Sequence, residues 1–399
     1  MRITRIDTIR VAEHPNLLWV EIHTDSGLVG LGETFYVPGA VAAVIHDVAA
    51  PLLIGADPLE IERIWHSLFH IVNYYGYAGA EMRAISALDI ALWDIAGKAA
   101  GQPVYNLMGG QVRDRIRTYN TCATYGDVDD YTAFHEHAGE LAESLLAEGI
   151  TAMKIWPWDI YAAAPNAAGI APAISRHVPQ DYYTVGPYIS AEQVEMGLES
   201  VKQIRKAVGN RMEIAIELHS RWSLPAAIRI ARALEPYDIL WFEDALTPDP
   251  VDDLARLVQE TRVPICASER LFTRYAFRQV LERKAAHIIM PDIIWTGGLS
   301  EGKKIATMAE AYHLPIAPHD CTGPVNIFAC LHLCASCPNT MLMESVRAFY
   351  RGYYDEFVDP NIDVREGHIH FPTAPGIGTK LRPSVRERAD VTIQSSPVG

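Results

Sequence analysis

The sequence has no excess of positive charge: 34 Lys and Arg face 49 Asp and Glu, for a formal net charge of −15. That balance argues against nucleic acid or an anionic membrane as the main partner. It also means that an anionic substrate must be drawn in by local positive charge, such as a metal ion. Long uncharged apolar runs are missing, so no segment reads as a membrane span. The first residues, Met1-Arg2-Ile3-Thr4-Arg5-Ile6-Asp7, alternate without an apolar signal core, and the expected compartment is the cytoplasm. Cysteine is sparse. Cys122, Cys266, Cys321, Cys330, Cys334 and Cys337 do not form a small secreted framework, so they read as free thiols. Hydrophobic residues make up 49% of the 399, enough for a chain this long to bury its core without crosslinks.

The chain changes period along its length. Leu18–Thr24, the turn Asp25-Ser26-Gly27 and Leu28–Glu33 read as a hairpin. Ile85, Leu88, Ala91, Leu92 and Ile95 then recur at helical spacing, giving an α+β unit. From about residue 115, short apolar runs alternate with amphipathic ones. Six runs end in a polar residue: Glu217, Glu243, Glu269, Asp292, His319 and Glu344, spaced by 26, 26, 23, 27 and 25 residues. One strand plus one helix fits that step, and its repetition predicts a (β/α) barrel. Strand ends of a barrel share one face, so these six side chains are expected to converge on one pocket. Arg117–Thr121 and Ala152–Lys154 are read as the first two strands. The 63 residues from Lys154 to Glu217 exceed one period, and the surplus in 156–190 is read as a long loop over that face. The segments 353–363 and 368–373 are expected to pack back on the N-terminal unit.

Glu217, Glu243 and Glu269 are three hard oxygen donors on consecutive strands, a set that suits Mg²⁺ with positions left for substrate oxygens. His319 beside Asp292 makes a candidate general base, because the carboxylate fixes the imidazole tautomer. His219, two residues after Glu217, is a second acid/base candidate, and strand alternation is expected to point it the same way. Arg221 is read either as neutralising substrate charge or as pairing with a glutamate. Lys154 has three open roles: stabilising an enolate, binding a carboxylate, or pairing with Glu217. Trp156 and Trp158 are expected to wall the pocket. Cys330, Cys334 and Cys337 have an iron–sulfur spacing. They sit in an apolar run at helical intervals, however, and are read as buried small hydrophobes. Gly297-Gly298 is read as allowing close approach of a helix N-terminus.

These residues resemble the enolase superfamily, mandelate racemase subgroup, over nearly the whole chain. Asp25–Glu33 and Ala87–Lys98 look like its capping domain. Trp241-Phe242-Glu243-Asp244, Ala267-Ser268-Glu269-Arg270, Pro291-Asp292 with Thr296–Leu299, and Ala317-Pro318-His319 look like its strand ends. The resemblance implies a modified (β/α)7β barrel over 115–350. An α+β capping domain would cover 1–114, joined by the C-terminal segment 351–399. Within the subgroup the likeness is to acid-sugar dehydratases such as the galactonate dehydratases, through His219, Glu269–Phe272, Met308–Tyr312 and Ala317–His319.

That likeness implies that Glu217, Glu243 and Glu269 bind Mg²⁺, that His319 oriented by Asp292 takes a C2 proton, and that His219 protonates a departing 3-hydroxyl. Glu344 would sit near the substrate carboxylate or enolate oxygen, and Arg270 is read as a substrate contact; Asp320 is read as another, in a segment, Ala317–Pro324, that departs from the galactonate dehydratases after the histidine. The implied partner is a small sugar acid, and a homo-oligomer is expected. Two further departures stand out. Glu217 occupies a position usually held by Asp. Trp156 occupies the place of the second lysine of racemases, which weakens the alternative reading as a racemase, epimerase or cycloisomerase. A catalytically silent sugar-acid-binding homologue is the third reading.

Overall fold

The computed structural model describes residues 1–162 and 186–398. Most of the expected loop at 156–190 therefore lies outside the described residues. Near the N-terminus, β1 (Ile3–Val11), β2 (Leu17–Thr24) and β3 (Val29–Phe35) form an antiparallel sheet. The predicted turn is present, with Gly27 at φ 82°. Helix α1 (Ala80–Ala100) packs on this sheet through Ile85, Leu88, Ala91, Leu92 and Ile95, the residues that carried the helical period. Helix and sheet approach so closely that side chains are excluded at two glycines. A Cβ on Gly30 would lie 2.0 Å from the Ala91 carbonyl oxygen, and one on Gly32 1.9 Å from that of Ala87.

The barrel follows. Strands β4 (Arg115–Thr121), β5 (Ala152–Ile155), β6 (Glu213–Glu217), β7 (Trp241–Glu243), β8 (Ile265–Ala267) and β9 (Ile288–Ile289) pair in parallel in that order. The eighth, β10 (Met343–Ser345), returns to pair with β4. The seventh stave is too short for a ladder. Single parallel bridges, Ile289 to Ile316 and Ile316 to Thr340, span the gap between β9 and the last strand. Tyr119, Ala152, Ala215, Trp241, Cys266, Ile288, Met290, Ala317 and Leu342 fill the interior, so the barrel is a packed core rather than a pore.

Helix α2 (Ala191–Val208) starts at a capping box in which Ser190 and Gln193 satisfy each other's backbone N–H groups. Helix α3 (Asn326–Ser336) carries Cys330 and Cys334, fully buried among apolar neighbours, and Cys337 follows it. All three are buried on or directly after one helix, as the helical spacing predicted.

The N-terminal unit and the barrel are joined by polar contacts. The Glu33 carboxylate accepts from Trp19 Nε1 and from the backbone N–H groups of Val325 and Asn326. Trp65 Nε1 donates to the Gly297 carbonyl at 2.8 Å, and a Cβ on Gly298 would meet Asp89 at 2.3 Å. The glycine pair thus admits α1 against the following helix.

The C-terminal segment divides its contacts. Tyr353 packs against His14 and Phe357 against Trp19, both as tilted ring pairs, and β12 (Val391–Pro397) adds a strand to β1. In contrast, β11 (His368–His370) pairs antiparallel with Arg115–Arg117 of β4, extending the barrel's first strand and not the N-terminal sheet. Among the described residues no helix is long and apolar enough to cross a membrane.

Candidate active site

At the C-terminal ends of the strands, ligand oxygens of Glu217, Glu243 and Glu269 all lie within 4.8 Å of one another, and each residue is buried. Burial, together with the charges of Glu243 and Glu269, pushes the Glu217 carboxyl well above its ordinary value. This crowding of buried oxygen donors fits a divalent cation, which would offset the repulsion and which no apolar residue could replace.

One protein cation does lie among them. Lys154, at the end of β5, places Nζ 2.9 Å from Glu243 Oε1, 2.9 Å from Glu344 Oε1 and 3.8 Å from Glu217 Oε2. Its pairing is thus chiefly with Glu243 and Glu344, with Glu217 the most distant of the three. Glu243 also accepts from Trp241 Nε1 and Ser268 Oγ. Glu344 accepts from Thr121 Oγ1 and from the Asp320 backbone N–H.

The longer side chain at 217 has a local consequence. Glu217 Oε1 accepts from the backbone N–H groups of Leu218 at 3.0 Å and His219 at 2.5 Å. His219 and Ser220 adopt left-handed backbone, at φ 48° and 59°. The strand therefore stops at Glu217, and His219 reaches the cleft by a turn rather than by strand alternation. Its Nδ1 lies 2.5 Å from Asp159 Oδ2.

On the other strand end, His319 Nδ1 lies 2.7 Å from Asp292 Oδ2, while Asp292 Oδ1 caps the next helical turn by accepting from Ile294 N–H. Burial opposes charge on His319, yet Glu344, Glu269 and Asp292 push it up to about 10. A divalent ion among the glutamates would offset much of that field.

A narrow cleft of about 40 Å³ opens above these groups. Lys154, Trp156, Glu217, His219, Glu269 and His319 line it. Glu243, Asp292 and Glu344 sit behind them, wholly buried. Trp158 is also buried, with its indole against Gly197 of α2, so it anchors a turn and does not wall the cleft.

Three residues read as substrate contacts, Asp320, Arg270 and Arg221, are not among those lining the cleft. Asp320 Oδ1 accepts from Thr322 Oγ1 and Asn326 Nδ2, and its backbone N–H donates to Glu344. Arg270 Nε lies 3.3 Å from Glu269 and 3.9 Å from Asp244. Arg221 Nη1 lies 3.4 Å from Asp159, a carboxylate and not one of the glutamates. Thr121, at the end of the first strand read from the sequence, also lines the cleft, and Tyr131, Cys321 and Phe349 line it without a sequence signal, since none of these three ends a periodic run. Asp159 was equally invisible, 60 residues from the histidine it holds.

Comparisons with known proteins agree with this architecture. Residues 6–109 match the mandelate racemase / muconate lactonizing enzyme N-terminal domain, and 137–385 match the enolase C-terminal domain-like family. Over 388 residues the chain is 34% identical to a D-galactonate dehydratase of Ralstonia nicotianae, covering 96% of this chain and 92% of that protein. It is 30% identical over 380 residues to a D-xylonate dehydratase of Haloferax volcanii, covering 95% and 86%. Among solved structures, an enolase of the mandelate racemase subgroup from Agrobacterium tumefaciens is 44% identical. It superposes with a TM-score of 0.87, over 100% of this chain and 99% of that one. The chain therefore belongs to the enolase superfamily, with the N-terminal domain of its mandelate racemase / muconate lactonizing members.

Proposed function

We propose that the chain is a magnesium-dependent acid-sugar dehydratase that removes the C2 proton of a sugar acid and expels the 3-hydroxyl, giving water and a 2-keto-3-deoxy acid. The observation that carries this reading is the pair of carboxylate-held histidines, His319 and His219, lining one cleft beside three buried glutamates. Elimination needs one group to accept a proton and another to give one, and the relatives named D-galactonate and D-xylonate dehydratase point the same way. Glu217, Glu243 and Glu269 would hold Mg²⁺, which when bound supplies Lewis-acid stabilisation of negative charge on a substrate carboxylate.

His319 takes the C2 proton, with Asp292 holding the ring and stabilising its charge. His219 gives its proton to the 3-hydroxyl as the C3–O bond breaks and the C2–C3 double bond forms. The resulting enol then takes a proton at C3 and releases the one on its C2 hydroxyl to become the ketone. Lys154 and Glu344 hold the glutamate cluster in register. Trp156 and Phe349 exclude water from the cleft. Each acid or base contributes about 10²–10⁴-fold in rate.

The test is a screen of mono- and diacid sugars with Mg²⁺. It reads 2-keto-3-deoxy product by carbonyl trapping and C2 exchange by proton NMR in D₂O. Product from one or a few sugars supports the proposal and names the substrate. Exchange without product moves the assignment to racemisation or epimerisation, and metal binding with neither indicates a silent homologue. In His319→Asn both exchange and product are lost; full exchange in that variant sinks the base assignment.

A further inference from the structure

The two histidines of the cleft are held in the same manner by unrelated parts of the chain. His319 has Asp292 Oδ2 2.7 Å from Nδ1 and the Trp295 ring 5.4 Å from its own. His219 has Asp159 Oδ2 2.5 Å from Nδ1 and the Trp156 ring 5.8 Å away. Both carboxylates are buried, Asp292 at 0% and Asp159 at 3% exposed. Each pairing closes the Nδ1 edge of its ring. Among the described residues neither Nε2 forms a hydrogen bond, the nearest ion-pair partner of His319 Nε2 being Glu344 Oε2 at 3.9 Å, and both rings line the cleft.

We infer that Asp159 is the positioning residue of His219, fixing the ring so that Nε2 delivers the proton to the leaving hydroxyl. This deepens the proposed function and rests on it for the identity of the proton's destination. A carboxylate on Nδ1 sets both the tautomer and the ring orientation; without it either nitrogen can turn to the substrate.

Two further contacts hold Asp159 itself. Arg221 Nη1 lies 3.4 Å from the same oxygen. Burial works against the Asp159 charge, but Arg221 and His219 more than offset it and keep the carboxyl below its ordinary range. Asp159 also begins a one-turn helix, Asp159–Tyr161, directly after Trp158. The Trp158 indole sits where a Cβ on Gly197 would stand 2.3 Å away, so the turn is pinned to α2. Arg221 is thereby assigned to the support of Asp159, not to the substrate.

The test uses the Mg²⁺-loaded full chain and the variants Asp159→Asn, Asp159→Glu, His219→Asn and the double Asp159→Asn/His219→Asn. With the sugar found by the screen, Asp159→Asn is expected to raise the ratio of C2 exchange to dehydration by about 100-fold, the scale of one acid catalyst. Asp159→Glu is expected to recover part of that ratio. The double variant is expected to dehydrate no more slowly than His219→Asn, because both changes remove one function.

The second readout needs no substrate. In ¹⁵N-histidine-labelled protein, the His219 resonances, assigned by their loss in His219→Asn, should show Nδ1 protonated in the parent throughout, with the proton that is delivered carried on Nε2 of the doubly protonated ring, and a mixture of Nδ1–H and Nε2–H forms in Asp159→Asn. An exchange-to-dehydration ratio within threefold of the parent, a double variant slower by the product of the single effects, or an unchanged tautomer overturns the inference. If no sugar is dehydrated by the parent, the proposed reaction fails, and the tautomer measurement alone decides the role of Asp159.

Discussion

Replacing Lys154 with Met asks whether one buried ammonium holds the acidic cluster together. The side chain is 3% exposed, and its three carboxylate partners are 0–2% exposed. Burial would drive this lysine down, but Glu243, Glu344, Tyr119 and Glu217 hold it well above its ordinary value, so it is charged. Methionine keeps most of the stem volume, and the substitution chiefly removes charge. Deleting one partner of a buried ion network leaves the others uncompensated, at a cost of about 3–5 kcal/mol. For a chain this long, roughly 2 °C per kcal/mol translates that into a fall of about 6–10 °C in melting temperature.

The measurement is urea and thermal unfolding of parent and variant in EDTA at pH 8, repeated at pH 5 and in saturating Mg²⁺. The deficit should shrink at pH 5. A buried carboxylate whose folded pKa lies above its unfolded value costs stability as pH rises, and Glu217 is already raised in the parent. It should shrink in Mg²⁺ as well, because an ion held by Glu217, Glu243 and Glu269 supplies the missing charge. A variant within about 0.5 kcal/mol of the parent in EDTA at pH 8 would refute the reasoning, since uncompensated buried carboxylates cannot cost so little.

Three further outcomes are expected. Adding Mg²⁺ at 100 times its dissociation constant should stabilise the protein by about 2.7 kcal/mol, and Glu269→Gln should lose most of that gain in the same thermal assay. His332 is wholly buried, accepts from the Tyr105 N–H, and is pushed by burial down to about 4. The neutral ring is favoured in the folded state, so the unfolded chain takes up the proton first. About 3 kcal/mol present at pH 7 should be lost between the ordinary value of 6.5 and about 4, and urea titrations across that window should show it flattened in His332→Gln. Gly30→Ala should destabilise by several kcal/mol, because its methyl would stand 2.0 Å from a backbone oxygen of α1. A urea midpoint equal to the parent's would show that the helix can shift away.

Much of the architecture was legible because a barrel is periodic. A step near 25 residues is one strand and one helix, and parallel strands present all their C-terminal ends to one face. Glu217, Glu243, Glu269, Asp292, His319 and Glu344 could therefore be gathered from their spacing alone, and Lys154 from its place at the second strand end. The period carries no information about what happens between staves or beyond their ends. That Lys154 leans to Glu243 and Glu344, that Asp320 turns to Asn326, and that Arg221 meets Asp159 depends on side-chain reach across neighbouring loops. The contact of Asp159 with His219, 60 residues apart, depends on a turn pinned by Trp158 and on a left-handed backbone held by Glu217. Glu33 reaching Asn326 and β12 returning to β1 depend on how two units dock. Local spacing records which faces residues share. Close packing, with buried polar groups obliged to find partners, then selects which of them touch.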